Sequence, residues 1–273
     1  MARSLTVLFG VLALLAGVAA GPAAAQDAGG SPGLARILGR GTLKVGMSGS
    51  QPPLNFDSKG GETIGLEVDL ANALAGLMGV EVELVEKPFA QLLPSLAAGQ
   101  VDIVLSGVTA TPERSQRAAF VGPYYLSGKS ILTRSAQLAH AEDAAALDRA
   151  DHTFAALKGS TSEQFVRTRL PKAKLVTTED YDAAVKLLLA DEVTAIVADR
   201  EVVALTAFLH PKERLVSMRT TLTIEPIALA APADDPLLAR YLDTALGALE
   251  ASGVLSGIRA RWLENGDWVG QLP

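Results

Sequence analysis

The chain has 273 residues, a formal net charge of −6, three histidines and no cysteine. That length buries a large core without covalent staples, and the lack of cysteine excludes disulfides and thiolate chemistry. Mild acidity argues against nucleic acid or an anionic membrane surface as a partner, and His140, His152 and His210 have no ligand-like spacing, so no metal or cofactor is expected.

Residues 1–25 read as a signal peptide. Arg3 supplies the positive start, Leu5–Ala20 is apolar but shorter than the roughly 20 residues a spanning helix needs, and Pro22-Ala23-Ala24-Ala25 ends in a small-x-small cleavage pattern. Cleavage after Ala25 removes Arg3, the only charge before that point, and takes the net charge from −6 to −7. No cysteine follows to carry a lipid anchor, so the product is expected to be exported and soluble in the periplasm. Residues 26–33 are rich in Gly, Ser and Ala and read as a disordered lead-in.

A short helix is expected over Leu34–Leu38, then a strand at Leu43–Met47 ending in the loop Ser48–Pro53, whose prolines halt sheet pairing. Leu66–Met78 has apolar residues at helical spacing with Gly79 as a C-cap. Val80–Val85 alternates as a half-exposed strand, Phe89–Ala98 is helical, and Val101–Leu105 is the next strand. Strand–helix–strand–helix–strand implies a parallel sheet with helices on both faces. Ligands bind such sheets beyond the carboxyl ends of the strands. The Ser48 loop and the Gly107–Thr109 run both leave strands there, so one cleft should collect them. The run Gly107–Arg114 offers backbone N–H groups, the Thr109 hydroxyl and a guanidinium, the donors a carboxylate accepts. A turn with a solvated surface arginine is the competing reading.

The pattern repeats in a second block: a strand at Thr153–Leu157, Lys158–Ser162 leading into a helix over Glu163–Arg169, a strand at Lys174–Val176, a helix at Tyr181–Ala190, and a strand Thr194–Ala198 ending at Asp199. Leu222–Ala230 is extended, and helices follow at Pro236–Glu250 and Leu255–Leu263. Two α/β blocks suggest two lobes with ligand between them. Ser160 and Thr161 stand where a helix N-terminus either binds an anion or is simply capped. Asp199 either receives an ammonium or caps the helix that follows; burial at the cleft would separate the two. Arg114 with Thr109 on one lobe and Asp199 on the other would clamp a zwitterion.

Taken in order, Gly41-Thr-Leu-Lys-Val-Gly46, Gly65-Leu-Glu-Val-Asp-Leu70, Leu92–Asp102, Gly107–Arg114, Gly122-Pro-Tyr-Tyr125, Lys158–Ser162, Ala195–Asp199 and Arg261-Trp262 resemble the family 3 periplasmic solute-binding proteins, the amino-acid-binding components of ABC importers. The resemblance runs from about Leu34 to Gly266. It implies a type II periplasmic-binding-protein fold: α/β, two lobes, each a parallel-rich sheet flanked by helices, joined by two hinge crossings near Tyr125–Lys129 and Thr221–Ile227. The lobes would be residues 34–126 and 127–223, with the return to the first lobe and the C-terminal helices in 224–273. It also implies that Gly107, Thr109 and Arg114 hold the ligand's carboxylate, that Asp199 holds its amino group, that Ser160 and Thr161 add contacts, and that Phe89 packs on the ligand.

The sequence departs from the family pattern at three places. Ser48 and Gln51 stand where the family often has an acid and a stacking aromatic, which disfavours basic amino acids and favours a polar neutral or acidic one. Leu54 replaces the usual phenylalanine of the Pro-Pro loop. Ile227 and Ala228 replace a common Tyr-Gly in the second crossing. The expected function is capture of an amino acid or related carboxylate by a monomer and delivery to an inner-membrane ABC permease, without catalysis. The same fold also hosts cyclohexadienyl (arogenate/prephenate) dehydratase, for which Asp199 and Glu201 are the candidate acids. A ligand sensor docking to a membrane receptor is a third reading.

Overall fold

A computed structural model describes residues 30–141, 143–218 and 220–273. The expected signal peptide, its cleavage site and the first half of the lead-in lie outside the described residues. The first helix, α1 (Pro32–Arg40), starts within the segment read as lead-in. Ser31 caps it by accepting from the Leu34 N–H at 3.1 Å, and Pro32 pre-sets the first turn.

The first lobe continues with β1 (Thr42–Met47), β2 (Ser50–Gln51), β3 (Asn55–Asp57), β4 (Thr63–Ile64), α2 (Leu66–Met78), β5 (Glu81–Glu86), α3 (Phe89–Ala97) and β6 (Ile103–Val104). The chain then runs through β7 (Ala118–Ser127) into β8 (Lys129–Thr133), α4 (Ala136–Ala139), β9 (Thr153–Leu157), α5 (Thr161–Arg169), β10 (Lys174–Thr178), α6 (Tyr181–Leu189), β11 (Ala195–Asp199), α7 (Arg200–Leu209) and β12 (Val216–Ser217). It returns along β13 (Glu225–Pro232) and ends with α8 (Pro236–Ala251), α9 (Val254–Arg259) and a wider helical turn at Ala260–Glu264.

Two five-stranded sheets result, in the orders β5-β1-β6-β13-β7 and β10-β9-β11-β8-β12. Within them β1 pairs with β5 and β6, and β9 with β10 and β11, all parallel. The antiparallel members are β13 and β7 in the first sheet and β8 and β12 in the second. Sequence patterning misses β7 because Gly122-Pro123 interrupts it, and proline cannot donate to a ladder. The strand lies at the sheet's edge, where that lost donor costs least. A separate three-stranded sheet, β2-β3-β4, forms where the Pro-Pro loop was expected to exclude pairing. Its pairs flank Pro52-Pro53 without including them.

Two crossings join the lobes. One is the step from β7 to β8 at Gly128, and the other leads into β13. They lie side by side: Lys129 N donates to Thr223 Oγ1 at 3.0 Å, and Leu222 N donates to the Lys129 carbonyl at 2.8 Å. Only glycine fits at 128, because a Cβ there would stand 2.4 Å from the Thr223 carbonyl oxygen.

Leu43, Val45, Leu66, Leu70, Leu74 and Leu242 fill the first lobe, each worth about 1.5–3 kcal/mol on burial. Trp262 of the Arg-Trp motif is buried against Phe56 and Trp268, with ring centroids 6.0 and 5.6 Å away, so the C-terminal end packs beneath the β2–β3 loop. A second apolar cluster spans both lobes, from Phe89, Leu92 and Val104 to Leu157, Tyr181 and Ile196. The lobes are therefore packed together.

Candidate functional site

The site begins where β1 and β6 end. Ser48 N donates to Ser106 Oγ at 3.0 Å, which ties the two strand-end loops together. Gln51 is 1% exposed, and its amide donates to Ser48 Oγ, Ser106 Oγ and the Ser106 carbonyl at 2.8, 3.0 and 3.2 Å. Gln51 thus braces the loops, and its amide N–H groups are already used. Gly107 has φ +59, and a Cβ there would meet Gln51 Oε1 at 2.9 Å, so glycine is required. Its N–H donates to Glu67 Oε1 at 2.6 Å. The expectation that this N–H is free for a ligand carboxylate is therefore corrected: a buried carboxylate of the protein already holds it.

Glu67 is fully buried at the start of α2. It also accepts from Tyr124 Oη through Oε1, and from Asn55 Nδ2 through Oε2 at 2.5 Å. Asn55 Oδ1 in turn accepts from Gly49 N at 2.8 Å and Ser48 Oγ at 3.2 Å. One carboxylate therefore fixes both loops. Burial pushes the Glu67 carboxyl above its usual range, although the three donors pull it back in part.

Arg114 reaches across the cleft. Its guanidinium donates to the Thr109 carbonyl at 2.9 Å and to the Gly159 carbonyl of the other lobe at 3.0 Å, and stands 5.8 Å from the Phe89 ring centroid. Phe89 therefore faces Arg114 from the start of α3. Burial lowers the arginine's pKa, against the opposing pull of Glu225, Asp199 and Glu113. Thr109 Oγ1 lies 3.3 Å from Thr161 Oγ1, a second contact between the lobes.

On the second lobe, the Ser160 hydroxyl caps α5: it accepts from Glu163 N at 3.2 Å and donates to the Leu157 carbonyl at 2.6 Å. Capping, rather than ligand contact, is the role its geometry supports. Thr161 donates to Glu225 Oε2 at 3.0 Å. Asp199 is 4% exposed and does not cap α7. Its Oδ1 instead accepts from Lys129 Nζ at 2.6 Å, and the same ammonium stands 3.6 Å from Glu225 Oε2.

Burial pushes the Asp199 carboxyl up, and Lys129 offsets this only in part. For Glu225, burial also pushes up, but Lys129 and the threonine hydroxyls outweigh it and hold that carboxyl low. Phe89, Arg114, Thr109, Thr161, Glu225, Lys129 and Asp199 thus form a continuous chain of contacts across the cleft. Two hollows open between the lobes. One of about 310 Å³ lies beside Ser48, Phe89 and Asp180, and one of about 780 Å³ lies between Ser48–Asp57 and the faces of α6 and α7.

Sequence reasoning missed Glu67, Asn55, Lys129 and Glu225. The available signals were an acid on the buried side of α2 and a lone lysine in the otherwise uncharged run Leu126–Thr133. Glu201, the other candidate acid, has both oxygens engaged: Tyr125 Oη and Arg200 Nε donate to Oε1, and Ser127 Oγ donates to Oε2 at 2.5 Å. Ile227 and Ala228 are buried where β13 shifts register against β7, and Ala228 N donates to the Val108 carbonyl at 3.0 Å.

Residues 43–265 match the family model for bacterial extracellular solute-binding proteins, family 3. Cyclohexadienyl dehydratase of Pseudomonas aeruginosa is 28% identical over 264 residues, which is 97% of each chain. ABC transporter arginine-binding protein 1 of Escherichia coli is 26% identical over 81% of this chain and 90% of its own. A crystal structure of an ancestral amino acid-binding protein, described as a precursor of cyclohexadienyl dehydratase, is 33% identical. It superposes with a TM-score of 0.76 over 84% of this chain and 98% of that one. Two lobes with strand-end loops meeting at a charged cleft, and a family match over most of the chain, lead to one conclusion: the protein belongs to the bacterial extracellular solute-binding proteins, family 3.

Proposed function

We propose that the protein is exported, with cleavage after Ala25, captures an amino acid between its lobes, and presents the closed form to an inner-membrane ABC permease. The observation that carries this reading is Arg114. A half-buried guanidinium bridges the lobes through two carbonyl oxygens, and among the described residues no carboxylate is hydrogen-bonded to it. A ligand carboxylate held at this point gains two parallel charged hydrogen bonds and favours the closed arrangement of the lobes. Asp199 lies on the facing wall to receive an ammonium. The E. coli arginine-binding relative supports amino acids as the ligand class, and no described helix is long and apolar enough to cross a membrane.

The test is a thermal-shift screen of the purified chain against amino acids and small carboxylates, followed by calorimetry. A true ligand raises the melting temperature because it binds only the folded chain. Arg114→Ala should fold and lose that ligand. Unchanged affinity in Arg114→Ala would sink the clamp.

The dehydratase relative that spans nearly the whole chain favours a second reading, catalysis in the same cleft. Dehydration requires a protonated acid within reach of the leaving hydroxyl. Here Asp199 is ion-paired and both Glu201 oxygens accept hydrogen bonds from the protein. These pairings support binding over catalysis. Turnover of prephenate or arogenate by the purified chain would reverse that preference.

A further inference from the structure

Among the described residues, Lys129 is the only lysine or arginine that is buried, at 1% exposure. Its place follows from register: Lys129 and Asp199 are direct partners in the antiparallel β8–β11 ladder, so their side chains leave the sheet on the same face. Glu225 approaches from the second crossing. Two carboxylates and one ammonium carry a net charge of −1. Thr161 and Thr223 donate to Glu225 at 3.0 and 2.6 Å but add no charge. Across the cleft, Arg114 is hydrogen-bonded to two carbonyl oxygens and carries +1.

The remaining nearby charges do not alter this balance. Glu201 is paired with Arg200, Glu67 lies behind the Gly107 loop with three donors on it, and Glu113 is exposed at the rim and accepts from Gln164. The cleft therefore has one unbalanced positive charge on one wall and one unbalanced negative charge on the other.

From this arrangement we infer that Lys129 is a specificity-determining residue that restricts the ligand to α-amino acids whose side chains carry no positive charge. The inference rests on the amino-acid-capture reading above. The ligand's carboxylate meets Arg114, and its ammonium takes Asp199 while Lys129 moves its pairing toward Glu225, 3.6 Å away. Each carboxylate of the pair then has one ammonium. A basic amino acid brings a further positive charge into a low-dielectric site already holding Lys129 and Arg114. A 2-oxo acid leaves the negative wall unbalanced. Buried charge without a counter-charge is strongly penalised.

Calorimetry of the purified chain with the uncharged amino acids, lysine, arginine and the 2-oxo analogues of the uncharged set tests this directly. The wild type should bind its best uncharged amino acid at least 100-fold tighter than lysine, arginine or the matching 2-oxo acid. Lys129→Met should shift the ratio at least tenfold toward lysine and arginine. Glu225→Gln should weaken the amino acid at least tenfold and tighten its 2-oxo analogue at least threefold, because Lys129 alone then balances Asp199. Wild-type preference for a basic amino acid, or ratios within threefold of wild type in whichever variants fold, would overturn the inference while leaving amino-acid capture intact. Binding of none of these compounds would overturn both. The wild-type ratio needs no variant and decides the matter even if Lys129→Met does not fold.

Discussion

Replacing Glu67 by glutamine keeps the shape of the side chain and removes one acceptor oxygen. Every partner of Glu67 is a donor: Gly107 N, Tyr124 Oη and Asn55 Nδ2. The glutamine oxygen can serve Gly107 and Tyr124, but its amide nitrogen then faces Asn55 Nδ2, donor against donor. Asn55 cannot turn over to correct this, because its Oδ1 accepts from Gly49 N and Ser48 Oγ. The variant thus leaves buried donors unsatisfied, which costs about 1–3 kcal/mol, and easier burial of a neutral group returns part of it. A net loss of about 2 kcal/mol corresponds to a fall in melting temperature of about 4–8 °C for a chain of this size. Because Glu67 fixes both strand-end loops, ligand affinity should fall as well, by about tenfold. Urea unfolding and calorimetry measure the two effects. A Glu67→Gln protein as stable as wild type with unchanged affinity would show that this carboxylate does not organise the loops.

Two further outcomes follow from the structure. Asp235 caps α8 and also accepts from Gly33 N at 2.7 Å and Ser31 Oγ at 2.9 Å, so Asp235→Ala should cost about 2–3 kcal/mol in urea unfolding. Burial pushes this carboxyl up, but its donors outweigh that and hold it below the usual range. Its contribution is therefore full above the ordinary aspartate value of about 3.9 and is lost as pH falls through the lower folded-state value, so the gap between wild type and Asp235→Asn should narrow with acid. A gap that widens with acid would contradict this sign. Gly159→Ala places a Cβ 3.0 Å from Ala90 Cβ, across the lobe contact, at φ +74. Stability should fall by about 1–2 kcal/mol and ligand affinity severalfold; affinity equal to wild type would mean that the lobes do not close to this separation when ligand binds.

The legible part of the protein was what local pattern can carry. Apolar strands ending in Ser48 and Gly107, a glycine-closed α2, and an arginine beyond a hydroxyl-rich turn are written within short windows. Their meeting at one cleft follows from the rule for strand carboxyl ends. What was not legible depends on pairing between distant segments. Lys129 and Asp199 are 70 residues apart and become neighbours only through antiparallel register. Glu225 arrives on a strand that returns from the second lobe and inserts between β6 and β7. Likewise, Gly107 offers a backbone N–H in the sequence, but only the packing of α2 shows that Glu67 consumes it. Gln51 reads as a ligand contact for the same reason, until burial shows its amide turned inward onto Ser48 and Ser106.

In the proposed clamp, Arg114 and Asp199 hold opposite charges of one ligand from opposite walls of the cleft. This is tested most directly by measuring how Asp199→Asn affects two compounds that differ only in the α-ammonium: the best-binding amino acid and its des-amino analogue. Asp199→Asn should weaken the amino acid at least tenfold and the analogue less than threefold, whereas Arg114→Ala should weaken both. Equal losses for the two compounds in Asp199→Asn would contradict it, because Asp199 would then shape the cleft without meeting the ammonium.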